Sequence, residues 1–137
     1  MYAGTHKIIP LDKERYVLVY DNKGVRVSDT GEGPFHNMST WNVGVIYFEK
    51  GIGRLRGYII DTDPEGDKVI MELTETATHP STKPTSGTAK IIGGTGKFEG
   101  IQGNMEYTRE SMRPSAKGTH QAYSKGKGSW KIVETKR

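Results

Sequence analysis

Gly87-Thr88-Ala89-Lys90-Ile91-Ile92-Gly93-Gly94-Thr95-Gly96-Lys97-Phe98-Glu99-Gly100-Ile101-Gln102-Gly103 is the stretch on which the fold turns. Five glycines fall between Gly93 and Gly103, with β-branched residues on both sides. As a phosphate-binding loop the run fails. That pattern needs a glycine five positions before the Gly96-Lys97 pair and a Ser or Thr after it, where this chain has Ile91 and Phe98. A dinucleotide fingerprint fails too, because Glu99 stands at the third glycine position and Gly100 and Gly103 deny the helix that should follow. What remains is a corner. A strand over Thr88–Ile92 enters a glycine turn, with at most one helical turn at Lys97–Gly100. Phe98 plugs one end, and a second strand leaves from Ile101. Glycine permits the positive φ and close backbone approach that such a corner needs.

Working outward, alternating or short apolar runs recur between turn signals. Strands are expected near Thr5–Ile9, Tyr16–Tyr20, Gly24–Ser28, Met38–Glu49, Arg54–Asp61, Lys68–Thr76, Thr88–Ile92, Gln102–Thr108 and Gln121–Glu134. The breaks are Asp21-Asn22-Lys23-Gly24, Lys50-Gly51, Asp63-Pro64-Glu65-Gly66 and the glycine corner, each rich in tight-turn residues. Two longer connections, 79–87 and 111–118, read as surface loops, or as lids over a cavity. No domain boundary interrupts this rhythm, so residues 1–137 read as one all-β domain, a sandwich or a closed barrel.

Composition agrees. Val, Ile and Thr supply 33 residues against nine Leu and Ala, which favours pleated surfaces over helices. No run approaches the roughly 20 apolar residues of a membrane helix, and Met1–Pro10 lacks a signal-peptide pattern. A cytoplasmic location is expected, or a periplasmic or secreted one if a signal has been removed. The absence of cysteine excludes disulfides, thiol nucleophiles and cysteine-ligated metals. His6, His36, His79 and His120 show no metal-ligand spacing, so no metal and no cofactor is expected. Residues 109–137 carry net charge +6 against −2 for the rest of the chain. Only Tyr123 and Trp130 interleave with those charges, which is thin for base stacking, and nucleic acid is not an expected partner. Lysines that discourage edge pairing explain the charge as well.

The run from Gly87 to Gly103, ending at Tyr107, resembles the glycine turn of allene oxide cyclases and dirigent proteins, and of small bacterial proteins of unknown function that share their barrel. The Gly66-Asp67-Lys68-Val69 lead-in to the preceding long strand is similar to those bacterial relatives. This resemblance implies an eight-stranded antiparallel up-and-down barrel of calycin-like type (nine segments if each run counts), with an apolar cavity and frequent oligomerisation. In the cyclases the barrel folds a reactive oxylipin into a ring; dirigent proteins steer the coupling of phenolic radicals. The acidic and polar residues on which the cyclases rely lie outside the glycine motif, so no catalytic residue transfers.

Side chains alternate along a strand. Trp41, Val43, Val45 and Tyr47 share one face and Asn42, Gly44, Ile46 and Phe48 the other; Leu55, Gly57 and Ile59 oppose Arg56, Tyr58 and Ile60. Val69, Met71 and Leu73 oppose Ile70 and Glu72. Apolar character on both faces suits a barrel with one face inward and the other against a second subunit, so a homo-oligomer is expected. The expected function is a small-molecule-binding barrel with an apolar or aromatic ligand in its lumen. Tyr20, Trp41, Tyr58 and Tyr107 are candidates for an aromatic wall, and Arg56, Glu72 and Glu106 for polar handles, although these last three could equally face solvent. One alternative is a cofactor-independent cyclase or isomerase that moulds its substrate, favoured if a carboxylate lies beside the aromatic wall. The other is an interaction protein working through its outer surface, with Lys125, Lys127 and Lys131 as contacts.

Overall fold

A computed structural model describes residues 2–78, 85–112 and 119–134. The described chain is all-β, with a single 3-10 turn at Gly96–Phe98 and no α-helix among the described residues. Eight strands, β1 (Tyr2–Pro10), β2 (Arg15–Arg26), β3 (Met38–Glu49), β4 (Ile52–Thr62), β5 (Lys68–Thr78), β6 (Thr85–Gly94), β7 (Ile101–Met112) and β8 (Thr119–Ile132), pair antiparallel in chain order. β8 returns to β1, so the sheet is one closed ring.

One expected turn is absent. Asp21-Asn22-Lys23-Gly24 runs straight through β2, fusing two expected strands into one. Both its neighbours hold it there: Asn22 pairs with Gly4 of β1 and with Asn42 of β3. Turn propensity loses to two ladders of backbone hydrogen bonds. The two expected surface loops lie largely outside the described residues.

The ring turns one face of each strand inward. Tyr20, Leu55, Val69, Met71, Leu73, Ala89, Ile91, Ile101 and Tyr107 build the core, and Met38 and Phe98 fill it further. The glycine corner does what its composition promises. Phe98 is 1% exposed and its ring lies against Phe35, which in turn meets Trp130 edge-on. Burial of such a ring contributes about 1.5–3 kcal/mol.

The corner is docked onto the β4–β5 turn. Thr95 N–H donates to the Lys68 carbonyl at 2.9 Å, and Lys68 N–H donates to Thr95 Oγ1 at 2.9 Å. Lys97 Nζ reaches Asp63 Oδ2 at 2.6 Å and Glu65 Oε2 at 3.2 Å. Gly96 sits at φ +58, where a side chain would also collide with the Asp67 carboxylate. The two turns are a single unit.

Closure is uneven. β7 and β8 pair over twelve positions, whereas β1 and β8 share only four, from Tyr2–Ala122 to Thr5–Thr119. The chain of β8 beyond them continues past the start of β1.

Candidate functional site

Inside the ring, β5, β6 and β7 present a polar cluster in an otherwise apolar core. The alternation that puts Val69, Met71 and Leu73 inward carries on to Glu75, which is 8% exposed. On β7 the same parity points Met105, Tyr107 and Arg109 inward, opposite Ala89, Gly87 and Thr85 of β6. Glu75 is held at both oxygens. Tyr107 Oη donates to Oε2 at 2.6 Å, and Arg109 Nη2 donates to Oε1 at 2.5 Å. Tyr2 of β1 completes the network through Ser124 and Arg109.

Burying a carboxylate is costly unless it is paired and hydrogen-bonded, and Glu75 is both. The network also fixes protonation states. Burial, then the Glu75 charge, pushes the Tyr107 hydroxyl far above its ordinary pKa, so it remains a neutral donor. Burial by itself would pull Arg109 down, but the Glu75 carboxylate beside it raises its pKa, and it stays a cation.

Two buried groups in this neighbourhood lack a hydrogen-bond partner among the described residues, Arg109 Nε and the Tyr20 hydroxyl. The Tyr20 side chain is 95% buried, since only 5% is exposed. Burial raises its pKa first and the charge of Glu75 second, so it too is a neutral donor. Glycines make the space it occupies. At Gly44 a Cβ would stand 2.5 Å from the Tyr20 hydroxyl, and at Gly57 it would collide with it outright. Gly87 does the same for Tyr107, where a Cβ would lie 2.5 Å from the hydroxyl. Paired across β3 and β4, Gly44 and Gly57 form the recess that the Tyr20 hydroxyl fills.

The seven sequence candidates divide sharply. Tyr20 and Tyr107 face inward and come together around Glu75. Trp41, Arg56, Tyr58, Glu72 and Glu106 take the outer face, and their expected place in the wall of a lumen is corrected. The reason is parity: each lies one residue from an inward side chain, Asn42, Leu55, Gly57, Leu73 and Tyr107 respectively. Trp41 instead donates from Nε1 to Asp21 Oδ1 at 2.8 Å, under the Lys23 ammonium. Arg56 and Tyr58 border an open surface hollow of about 560 Å³, together with Val19, Val43 and Val45.

Sequence reasoning passed over Glu75, Arg109 and Tyr2. Two of the three carried a usable signal. Continuing the Val69–Met71–Leu73 alternation by one step reaches Glu75, and continuing from Tyr107 reaches Arg109. Tyr2 carried none, because its role depends on where β8 closes the ring.

Asp63, Glu65 and Asp67 also converge, with ligand atoms within 4.8 Å of one another. The Lys97 ammonium pairs with two of the three, Asp63 and Glu65. Its hydrogen bond is the main cause that holds the Asp63 pKa below the ordinary value. Their chemistry is that of a tie between two turns.

No family model, no curated protein and no solved structure matches this chain.

Proposed function

We propose that this chain is an eight-stranded, calycin-like barrel that binds a small molecule with an apolar or aromatic body and one oxygen acceptor. The observation that carries this reading is the Tyr20 hydroxyl, buried and without a partner beside the Glu75–Tyr107–Arg109 network. A buried donor left unpaired costs about 1–3 kcal/mol, and a ligand oxygen accepting from it recovers that cost on binding. Leu55, Leu73 and Met71 offer the apolar surroundings, and burial of the ligand body against them supplies the affinity. The glycine-corner resemblance supports the same architecture.

Binding is favoured over catalysis by the state of Glu75. A carboxylate beside an aromatic wall is the feature a cyclase or isomerase would show, but both oxygens of this one are already engaged. A general base must lie within hydrogen-bond reach of the proton it takes, and among the described residues the groups bonded to these two oxygens are the Tyr107 hydroxyl and the Arg109 guanidinium.

The reading extends to self-association. Val19, Val45 and Tyr58 are 40–49% exposed on the outer face of β2–β4, beside the surface hollow, and a second copy would cover them.

Binding is tested with 1-anilinonaphthalene-8-sulfonate as probe and by native mass spectrometry of freshly purified protein for a co-purifying small molecule. The expected result is a saturable fluorescence rise, weakened about tenfold in Tyr20→Phe, the loss of one buried hydrogen bond. Equal affinity of wild type and Tyr20→Phe, with no co-purifying molecule, rejects the reading.

A further inference from the structure

The inner face of β3 and β4 carries a line of buried polar atoms without partners. On β3 the inward residues run Gly44, Asn42, Thr40, and opposite them on β4 stand Gly57, Ile59 and Asp61. Gly44 and Gly57 border the Tyr20 hydroxyl. Next along the line, Asn42 Oδ1 is buried and has no hydrogen-bond partner among the described residues, and the same holds for Asp61 Oδ1 at the far end. Asp61 is 0% exposed, and its other oxygen, Oδ2, accepts from Arg26 Nε at 2.6 Å. From Gly57 to Asp61 is four residues, about 13 Å of strand. The line therefore begins with a donor and ends with a carboxylate oxygen. A carboxylate wholly out of water needs partners for both oxygens, and Arg26 serves one.

We infer that the small molecule bound at Tyr20 also carries a hydroxyl, at the end away from its acceptor oxygen, and that this hydroxyl donates to Asp61 Oδ1. This rests on the reading of Tyr20 as a donor to the ligand and narrows the ligand to a hydroxylated carbonyl or ether compound with an apolar body. Charge selects the group. A metal ion or an ammonium at Oδ1 would stand beside the Arg26 guanidinium, which already balances the carboxylate, and an anion would meet the carboxylate itself. An alcohol or phenol is neutral, and its O–H bond to an ionised acceptor is about twice as strong as one between neutral groups.

The side chains beside the carboxylate can make room for it. Asp61 Oδ1 is enclosed in the unliganded chain, so neighbours must give way as the hydroxyl arrives. Arg26 lies between two methionines: Met38 is its cross-strand partner, and Met105 Sδ accepts from Arg26 Nη1 at 3.9 Å. Unbranched thioether side chains repack at small cost, which suits a wall that closes when empty and opens to a ligand.

The test compares two probes by calorimetry at pH 6, where a naphthol keeps its proton: 6-acetyl-2-naphthol, and 2-acetylnaphthalene, the same body without the hydroxyl. The wild type is expected to bind the naphthol at least about tenfold more tightly, the weight of one hydrogen bond to a charged group. Tyr20→Phe should weaken both probes by a similar factor and keep that ratio. In Asp61→Asn the amide oxygen takes the place beside Arg26 and the NH2 group replaces Oδ1, a donor where an acceptor stood. The ratio should then fall to about one, with the affinity for 2-acetylnaphthalene unchanged. Equal affinity of the wild type for the two probes, with Tyr20→Phe still weakening both, would overturn this inference alone and leave Asp61 Oδ1 to a buried water. That comparison needs no variant at Asp61 to fold. A preference for the naphthol that survives in folded Asp61→Asn overturns it as well. Binding of neither probe removes the Tyr20 reading and this inference with it.

Discussion

At the scale of single residues, the Tyr20 hydroxyl and the two glycines facing it form one device. A Cβ at Gly57 meets the hydroxyl, with the Val43 carbonyl 2.8 Å away. Gly57→Ala is therefore expected to destabilise the protein by about 1–3 kcal/mol through overpacking. Tyr20→Phe removes the nearer obstacle and an unsatisfied polar group together, so by itself it should leave stability unchanged or raise it. In the double variant Phe at position 20 should return a good part of what the alanine cost. Urea denaturation of the four proteins measures that coupling; strictly additive effects would mean that the hydroxyl does not occupy the space beside Gly57. That Gly44 shares a face with Asn42 and Ile46, and Gly57 with Leu55 and Ile59, is legible in the sequence. Their opposition to Tyr20 is not, because it depends on the register of β2, β3 and β4.

Among the elements, the joined turns at Asp63–Asp67 and Gly94–Gly100 respond to pH through one pair. Lys97 holds the Asp63 pKa below the ordinary aspartate value, and Asp63 in return, its carboxylate accepting from the ammonium, raises the Lys97 pKa. A depressed acid contributes stability that is fully present above its unfolded pKa and is lost as pH falls through its folded value. In acid the tie should loosen, and backbone amides of Thr95–Gly100 should exchange faster relative to core amides of β5. Asp63→Asn keeps an oxygen for the Glu65 and Asp67 N–H groups that Asp63 Oδ1 accepts at 3.0 and 2.9 Å. The variant should show looser turns at neutral pH and little further change on acidification. Amide exchange followed by NMR from pH 6 to pH 2 checks this; a turn in the variant that still loosens in acid as the wild type does would place the titration elsewhere. The glycine corner itself was readable from composition, down to Phe98 as its plug. That it leans on the preceding turn required the folded chain.

For the whole molecule, the question is what covers the outside of the ring. β2–β4 show apolar side chains on both faces, and Val45, 42% exposed, lies amid the outer ones. If a second copy covers them, sedimentation at micromolar concentration should show an oligomer, and Val45→Lys should yield a folded monomer with unchanged circular dichroism. A wild-type protein that sediments as a monomer throughout would leave this face to solvent.

By itself the sequence determined that this chain is all-β, that it turns sharply at Gly93–Gly103, and that alternate residues of its strands share a face. These follow from side-chain branching, glycine and the period of two, which are local properties of the chain. Which of the two faces looks inward, and therefore that Trp41, Arg56, Tyr58, Glu72 and Glu106 stand outside while Glu75 and Arg109 stand within, was decided only by closure of the ring. A shift of one residue exchanges the faces, and nothing local marks which exchange is right. The fusion of β2 and the short seam between β1 and β8 belong to the same class, since each is set by pairing with a distant strand.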